Sequence, residues 1–160
     1  MDSHLPIGLN PQASKELAKG LNDFLADLQV CSQNVRGFRW NLRGQDLFVM
    51  RQTLASMYDE LHAMTDEVAE RIRTLDAQPL QGFDEVLKVS DVPAVKDVRK
   101  GSEALRHCVA AYSVLLVRMR ALMQLSRQSN DEGTAIMLGR CVGAIEKQVW
   151  LCRTALSESL

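Results

Sequence analysis

Four stretches of this 160-residue chain set an apolar residue at every third or fourth position. Leu17, Leu21, Phe24, Leu28, Cys31, Val35 and Phe38 make the first stripe, and Leu54, Met57, Leu61, Val68, Ile72 and Leu75 the second. Leu105, Cys108, Val109, Tyr112, Leu115, Leu116, Met119 and Leu122 form the third. Leu138, Cys141, Val142, Ile145, Val149 and Cys152 form the fourth, with Trp150 and Leu156 adding apolar surface near its end. At about 3.6 residues per turn each set falls on one side of an α-helix, so each stretch must bury that side. No hairpin signal, internal repeat or low-complexity tract interrupts the pattern, and the fold class expected is all-α.

Residues that start and stop helices place the ends. Asn10 before Pro11 begins the first helix, since Asn caps free backbone N–H groups and Pro at the first position has none to lose. Gly37 and Gly44 bracket its end. The second helix opens at Gln45 or Asp46 and runs about thirty residues toward Pro79, long for a globular helix. Between Asp76 and Lys96 the residues Pro79, Gly82 and Pro93 break helical order, yet Phe83, Val86 and Leu87 can form a short helix across a surface. A long structureless loop would be unusual in a compact domain. Ser102 is placed to cap the third helix, which ends around Ser126 to Ser129, and Ser129 or Asn130 to cap the fourth. Four amphipathic helices with a long connection between the second and third describe a ferritin-like four-helix bundle whose crossover carries a short helix.

A hydrophobic share of 46% suits one domain over residues 1–160, with residues 1–10 as a flexible N-terminal extension. A chain of this length buries about two thirds of the surface its unfolded form exposes, so it needs neither a disulfide nor a structural metal. Cys31, Cys108, Cys141 and Cys152 are widely spaced with no C-x-x-C pair, and are expected as reduced thiols in the core. Nineteen Lys+Arg against twenty Asp+Glu give a net charge of -1, leaving no global excess to recruit nucleic acid or an anionic membrane. With no leader-like N-terminus and no apolar run near the roughly 18 residues of a span, the expected location is cytoplasmic, with no membrane partner.

A di-iron centre inside such a bundle takes a Glu-x-x-His from each of two helices. The chain offers only Asp59 with His62. Neither His4 nor His107 stands three residues after a carboxylate, and His107 reads as a helix-surface residue beside the Cys108 thiol. Asp66 and Glu70 stand out more. Four apart, they fall on the side of the second helix opposite Leu61, Val68 and Ile72, and so point away from their own core. One reading is a solvated face with weak pairs of Glu67 with Arg71 or Glu70 with Arg73. The other is contact with another subunit, where paired carboxylates need a metal or cations to tolerate desolvation.

The runs LNDFLADLQV (residues 21–30), NVRGFRWN (34–41) and DEVAERI (66–72) stand with Gly44, Phe48, Tyr58, Gln78-Pro79-Leu80, Asn130 to Thr134 and Glu146 to Trp150. Together they resemble the Dps family of ferritin-like mini-ferritins, the DNA-binding proteins from starved cells. The resemblance implies a homo-oligomer, a dodecameric shell built on two-fold dimers, that oxidises ferrous iron, preferably with peroxide, and stores ferric mineral. It places the oxidation sites at two-fold subunit interfaces. One subunit supplies a His just before the motif's Trp, here Trp40, and another His twelve residues on; its partner supplies an Asp and a Glu four apart.

Asp66 and Glu70 match the acidic half of that site, but the histidine positions hold Arg39 and Arg51. Arginine stays protonated and has no lone pair to give a metal. Two guanidinium groups facing Asp66 and Glu70 would neutralise both and occupy the volume of the iron. The expectation is a degenerate ferroxidase site that has become an intersubunit ion-pair cluster, with iron binding weakened. One alternative is an active ferroxidase using Asp66, Glu70 and a substitute ligand such as His62, which precedes Asp66 by one helical turn. Another is a non-catalytic structural or interaction bundle.

The resemblance also implies three-fold pores lined by acids near the start of the fourth helix. Asp131 and Glu132 match part of that lining, whereas Ile136 and Arg140 stand where further acids are common. Acids at a helix N-terminus also simply complement its dipole. DNA binding in the family rests on Lys/Arg-rich tails. With His4, Lys15 and Lys19 at one end and Glu158 at the other, DNA binding is expected to be weak or absent.

Overall fold

Five helices occupy the part of the chain that a computed structural model describes, residues 5–157. They are α1 (Pro11–Asn41), α2 (Leu47–Thr74), α3 (Phe83–Val89), α4 (Gly101–Gln128) and α5 (Glu132–Leu156). Helices α1 and α2 form one hairpin, α4 and α5 a second, and α1 joins the two by packing on α4. The short α3 lies in the crossover against α1. The expected stripes turn inward almost without exception, and Val109, Leu116 and Val149 stop at half-buried. At Gly20 of α1 a Cβ would meet Leu122 Cδ2 of α4 at 2.5 Å, so a side chain there would make that leucine shift.

The helix ends depart from expectation for reasons of local chemistry. Asn10 does cap α1, its side-chain oxygen accepting from Ala13 N at 3.0 Å. That helix runs through Gly37 to Asn41. Helix α2 stops at Thr74, well before Pro79, because Asp76 takes a left-handed turn at φ 62° and Ala77 N–H bonds back to Ile72 O at 3.1 Å. That bond closes a Schellman motif and satisfies a terminal carbonyl. The end of α4 repeats it, with Asn130 left-handed at φ 57° and Asp131 N–H on Ser126 O at 2.8 Å. Asn130 therefore closes the turn and cannot cap α5; Asp131 does that, accepting from Thr134 N at 2.9 Å. Ser102 is likewise no cap: α4 begins one residue earlier at Gly101, after Lys100, without a side-chain cap bond.

The crossover is a strap bonded along α1. Asn22 donates to Gln78 O at 3.0 Å and accepts from Leu80 N at 2.8 Å. Gln29 donates to Leu80 O at 3.1 Å. Asn34 donates to Pro93 O and accepts from Val95 N, each at 2.9 Å. Deepest of all is Asp27, fully buried, which accepts from Ser90 Oγ at 3.0 Å, Asp91 N at 2.7 Å and Arg118 Nε at 2.5 Å. Arg118 also bonds Asp91 and reaches Asp23, so one guanidinium ties α1, the strap and α4 together. Of the four apolar residues on α3, Val86 alone is fully buried, Val89 is half-buried, and Phe83 and Leu87 face outward.

Against the expectation of no membrane-length apolar run, α4 is long and apolar enough to cross a bilayer by length and composition. In the bundle Leu105, Cys108, Tyr112, Leu115, Met119 and Leu122 of that helix fill the core, and Arg118 is held by buried Asp27.

Candidate functional site

Helix α2 carries Tyr58, His62, Asp66 and Glu70 at intervals of four, one outward stripe opposite buried Leu61, Val68 and Ile72. Asp66, Glu70 and His62 are all exposed. Arg51 stands exposed near the start of the same helix, fifteen residues before Asp66 and so about 22 Å from it along the axis. Arg39 lies in the last turn of α1, half-buried, and its Nε is buried without a hydrogen-bond partner. Within one chain, then, the two arginines and the two carboxylates occupy opposite ends of one face, and none of the four joins an ion pair among the described residues.

Between those ends runs a ladder of rings. The Arg36 guanidinium sits 4.9 Å from the centroid of Trp40 and 5.7 Å from that of Tyr58. Tyr58 in turn stacks on His62, 5.6 Å between centroids and 17° between planes. Beside the ladder is a largely apolar groove of about 540 Å3 bordered by Val30, Val86, Phe83 and Leu87. Trp40, Phe48, Phe83 and Leu87 are all exposed, Phe83 to 86%. One face of the molecule thus combines charge of both signs, unpaired among the described residues, with exposed apolar surface.

The pairs expected on the α2 surface form elsewhere. Glu67 bonds Arg140 of α5, and Arg73 donates to Ala77 O at 2.9 Å. Arg71 reaches Asp131 at 2.6 Å and Thr134 Oγ1 at 2.8 Å. With Gln148 donating to Glu60 at 2.8 Å, the bonds of Glu67 and Arg71 lace the sparse α2–α5 seam. The Arg71 bond also engages Asp131, one of the two acids expected to line a pore. That carboxylate is 2% exposed and engaged on both oxygens, by Thr134 N and Arg71 on one and by Thr134 Oγ1 at 2.6 Å on the other. Of the two acids expected to line a pore, Glu132 alone faces outward, near exposed Ile136 and Arg140.

Among the described residues no group of three or more His, Cys, Asp or Glu side chains can hold a metal ion. The four cysteines are free and buried. Burial pushes the Cys31 thiol up to about 12, helped by the charge of Asp27, and the Cys141 thiol to about 11. Cys108 and Cys152 are raised by burial as well, so none is a ready nucleophile. The His107 ring lies tilted against Phe38, 5.8 Å between centroids and 34° between planes. His4 and Glu158 lie outside the described residues. The Asp27–Arg118 node and the Arg36 ladder escaped the sequence reading. A charged residue inside the apolar run from Phe24 to Leu28 was the available signal for the first.

A two-hairpin bundle with a strapped crossover is the ferritin-like architecture, and the family model for the ferritin-like domain matches residues 18–159. Within that class the chain belongs to the Dps family. It is 35% identical over 144 residues to the DNA protection during starvation protein of Porphyromonas gingivalis, covering 90% of this chain and 91% of that one. It is 36% identical over 153 residues to an uncharacterized protein of Haemophilus influenzae, covering 96% of each. The crystal structure of a Dps protein from Vibrio cholerae O1, described as a member of the ferritin-like diiron-carboxylate superfamily, superposes with a TM-score of 0.96 at 32% identity. That match covers 98% of this chain and 99% of the other.

Proposed function

We propose that the protein is a cytoplasmic, cage-forming Dps subunit of iron storage and oxidative-stress protection whose intersubunit ferroxidase site has been replaced by an ion-pair cluster. The observation that carries this is the separation on one face: Arg39 and Arg51 at one end, Asp66 and Glu70 at the other, too far apart to meet within a chain. A two-fold axis through the turn of α2 holding Tyr58 and His62 brings each pair onto the opposite pair of a partner. It also covers Trp40, Phe48, Phe83 and Leu87, an apolar surface that would otherwise stay wet. Dodecameric closure on such dimers and weak or absent DNA binding belong to the same reading.

Iron is the substrate here, and the residues present suit it poorly. Imidazole offers a lone pair to Fe2+; guanidinium offers none and adds positive charge. Both carboxylates are instead satisfied by charge-assisted bonds, which tolerate an interface that excludes water. The test is an anaerobic Fe2+ titration of the size-verified oligomer, followed by peroxide. No stoichiometric binding and no acceleration over a protein-free control are expected. Arg39→His with Arg51→His should restore binding. Stoichiometric Fe2+ uptake by the unaltered protein would instead favour His62 as a substitute ligand beside Asp66 and Glu70. A shell that fails to assemble would favour a structural bundle.

A further inference from the structure

We infer that Arg36 is the positioning residue of this interface, the clamp that sets the register between the cationic corner of α1 and the acidic stripe of α2. The inference rests on the two-fold reading above. Arg36 precedes Arg39 by three residues, so the two guanidinium groups share one side of α1 and repel. Free in solvent, Arg36 would compete with Arg39 for the same carboxylates. Held between Trp40 and Tyr58, it cannot.

The same contact links the two helices at a useful level. Trp40 adjoins Arg39 on α1, while Tyr58 begins the α2 stripe that passes through His62 to Asp66 and Glu70. Tyr58 is itself braced by the His62 stack. A guanidinium bridging the two rings therefore fixes how far the arginine end stands from the acidic end, and the two-fold axis falls beside it. Arg36 and His62 are also the groups lining the groove that can carry charge, and no carboxylate lines it. Among the described residues nothing draws Arg36 away from the two rings, and none forms an ion pair with it.

The experiment uses full-length protein carrying Trp150→Phe, which leaves Trp40 as the one tryptophan. Arg36→Gln should shift Trp40 emission and raise the dissociation constant for two-fold pairing about tenfold in sedimentation velocity, with the subunit's thermal melt unchanged. Arg36→Lys should recover most of the pairing, because an ammonium over the rings keeps the cation–π contact. Unchanged pairing in Arg36→Gln overturns the inference, as does a melt that falls in step with pairing. Arg39→Gln is run beside it. If Arg39→Gln weakens pairing and Arg36→Gln does not, the clamp alone is wrong; if neither does, the intersubunit reading goes too.

Discussion

Asp27 is the residue on which the bundle's polar interior turns. Three donors converge on a carboxylate with no exposed surface, and its cation, Arg118, is held on α4. Removing one partner of such a pair strands the other, so Asp27→Ala should lower unfolding free energy in urea by about 3 kcal/mol. The thiols make a second prediction. Cys31 is held near 12 in the folded state, above its ordinary value of 9.0, so between those limits the unfolded chain loses this proton first. Stability is unaffected below pH 9 and falls above it, by about 1.4 kcal/mol per pH unit for one such thiol. Cys31→Ala should make that alkaline slope shallower by one thiol's share, the other raised thiols keeping the rest, measured by urea midpoints from pH 8 to 11. At pH 8 the native protein should resist alkylation on all four thiols, and all should react once it is unfolded.

At the scale of the helices, the sequence was legible wherever burial alone decided the outcome. Leu17 through Phe38 and Leu105 through Leu122 declare their faces by spacing, and the long crossover declares the topology. Helix ends were harder, because they depend on which residue tolerates a left-handed turn. Asn130 and Asp131 both pass as caps by type; only the backbone reveals that Asn130 turns the chain and Asp131 caps α5. The candidate site was half legible. The outward face of Asp66 and Glu70 follows from arithmetic, whereas the bond of Arg71 to Asp131 joins residues 60 apart and leaves no periodic trace. Asp131→Ala tests that assignment. As a cap and ion-pair partner its loss should cost about 2 kcal/mol, seen as early fraying of α5 in hydrogen exchange. A residue that merely lined a pore would leave that protection intact.

For the whole molecule, complementary charge at opposite ends of one face makes a prediction no single subunit can show. Arg39→Glu with Arg51→Glu should abolish two-fold pairing, since every group at the joint is then acidic. Asp66→Arg with Glu70→Arg should abolish it by the opposite sign. Mixed together, the two variants should pair, because both joints of the mixed dimer regain opposite charges. Native mass spectrometry distinguishes the mixed dimer from either parent, and failure to mix would place the arginines away from the acids. The strap along α1 has a consequence of another kind, in the order of folding. The helices of each hairpin meet across short connections, but the strap's bonds to α1 join residues 51 to 64 positions apart. Distant closures of this sort come late on the route to the native state. Asn34→Ala should therefore speed unfolding while leaving the refolding rate nearly untouched. The strap acts as a latch on the finished bundle, setting how long it stays folded more than how fast it gets there.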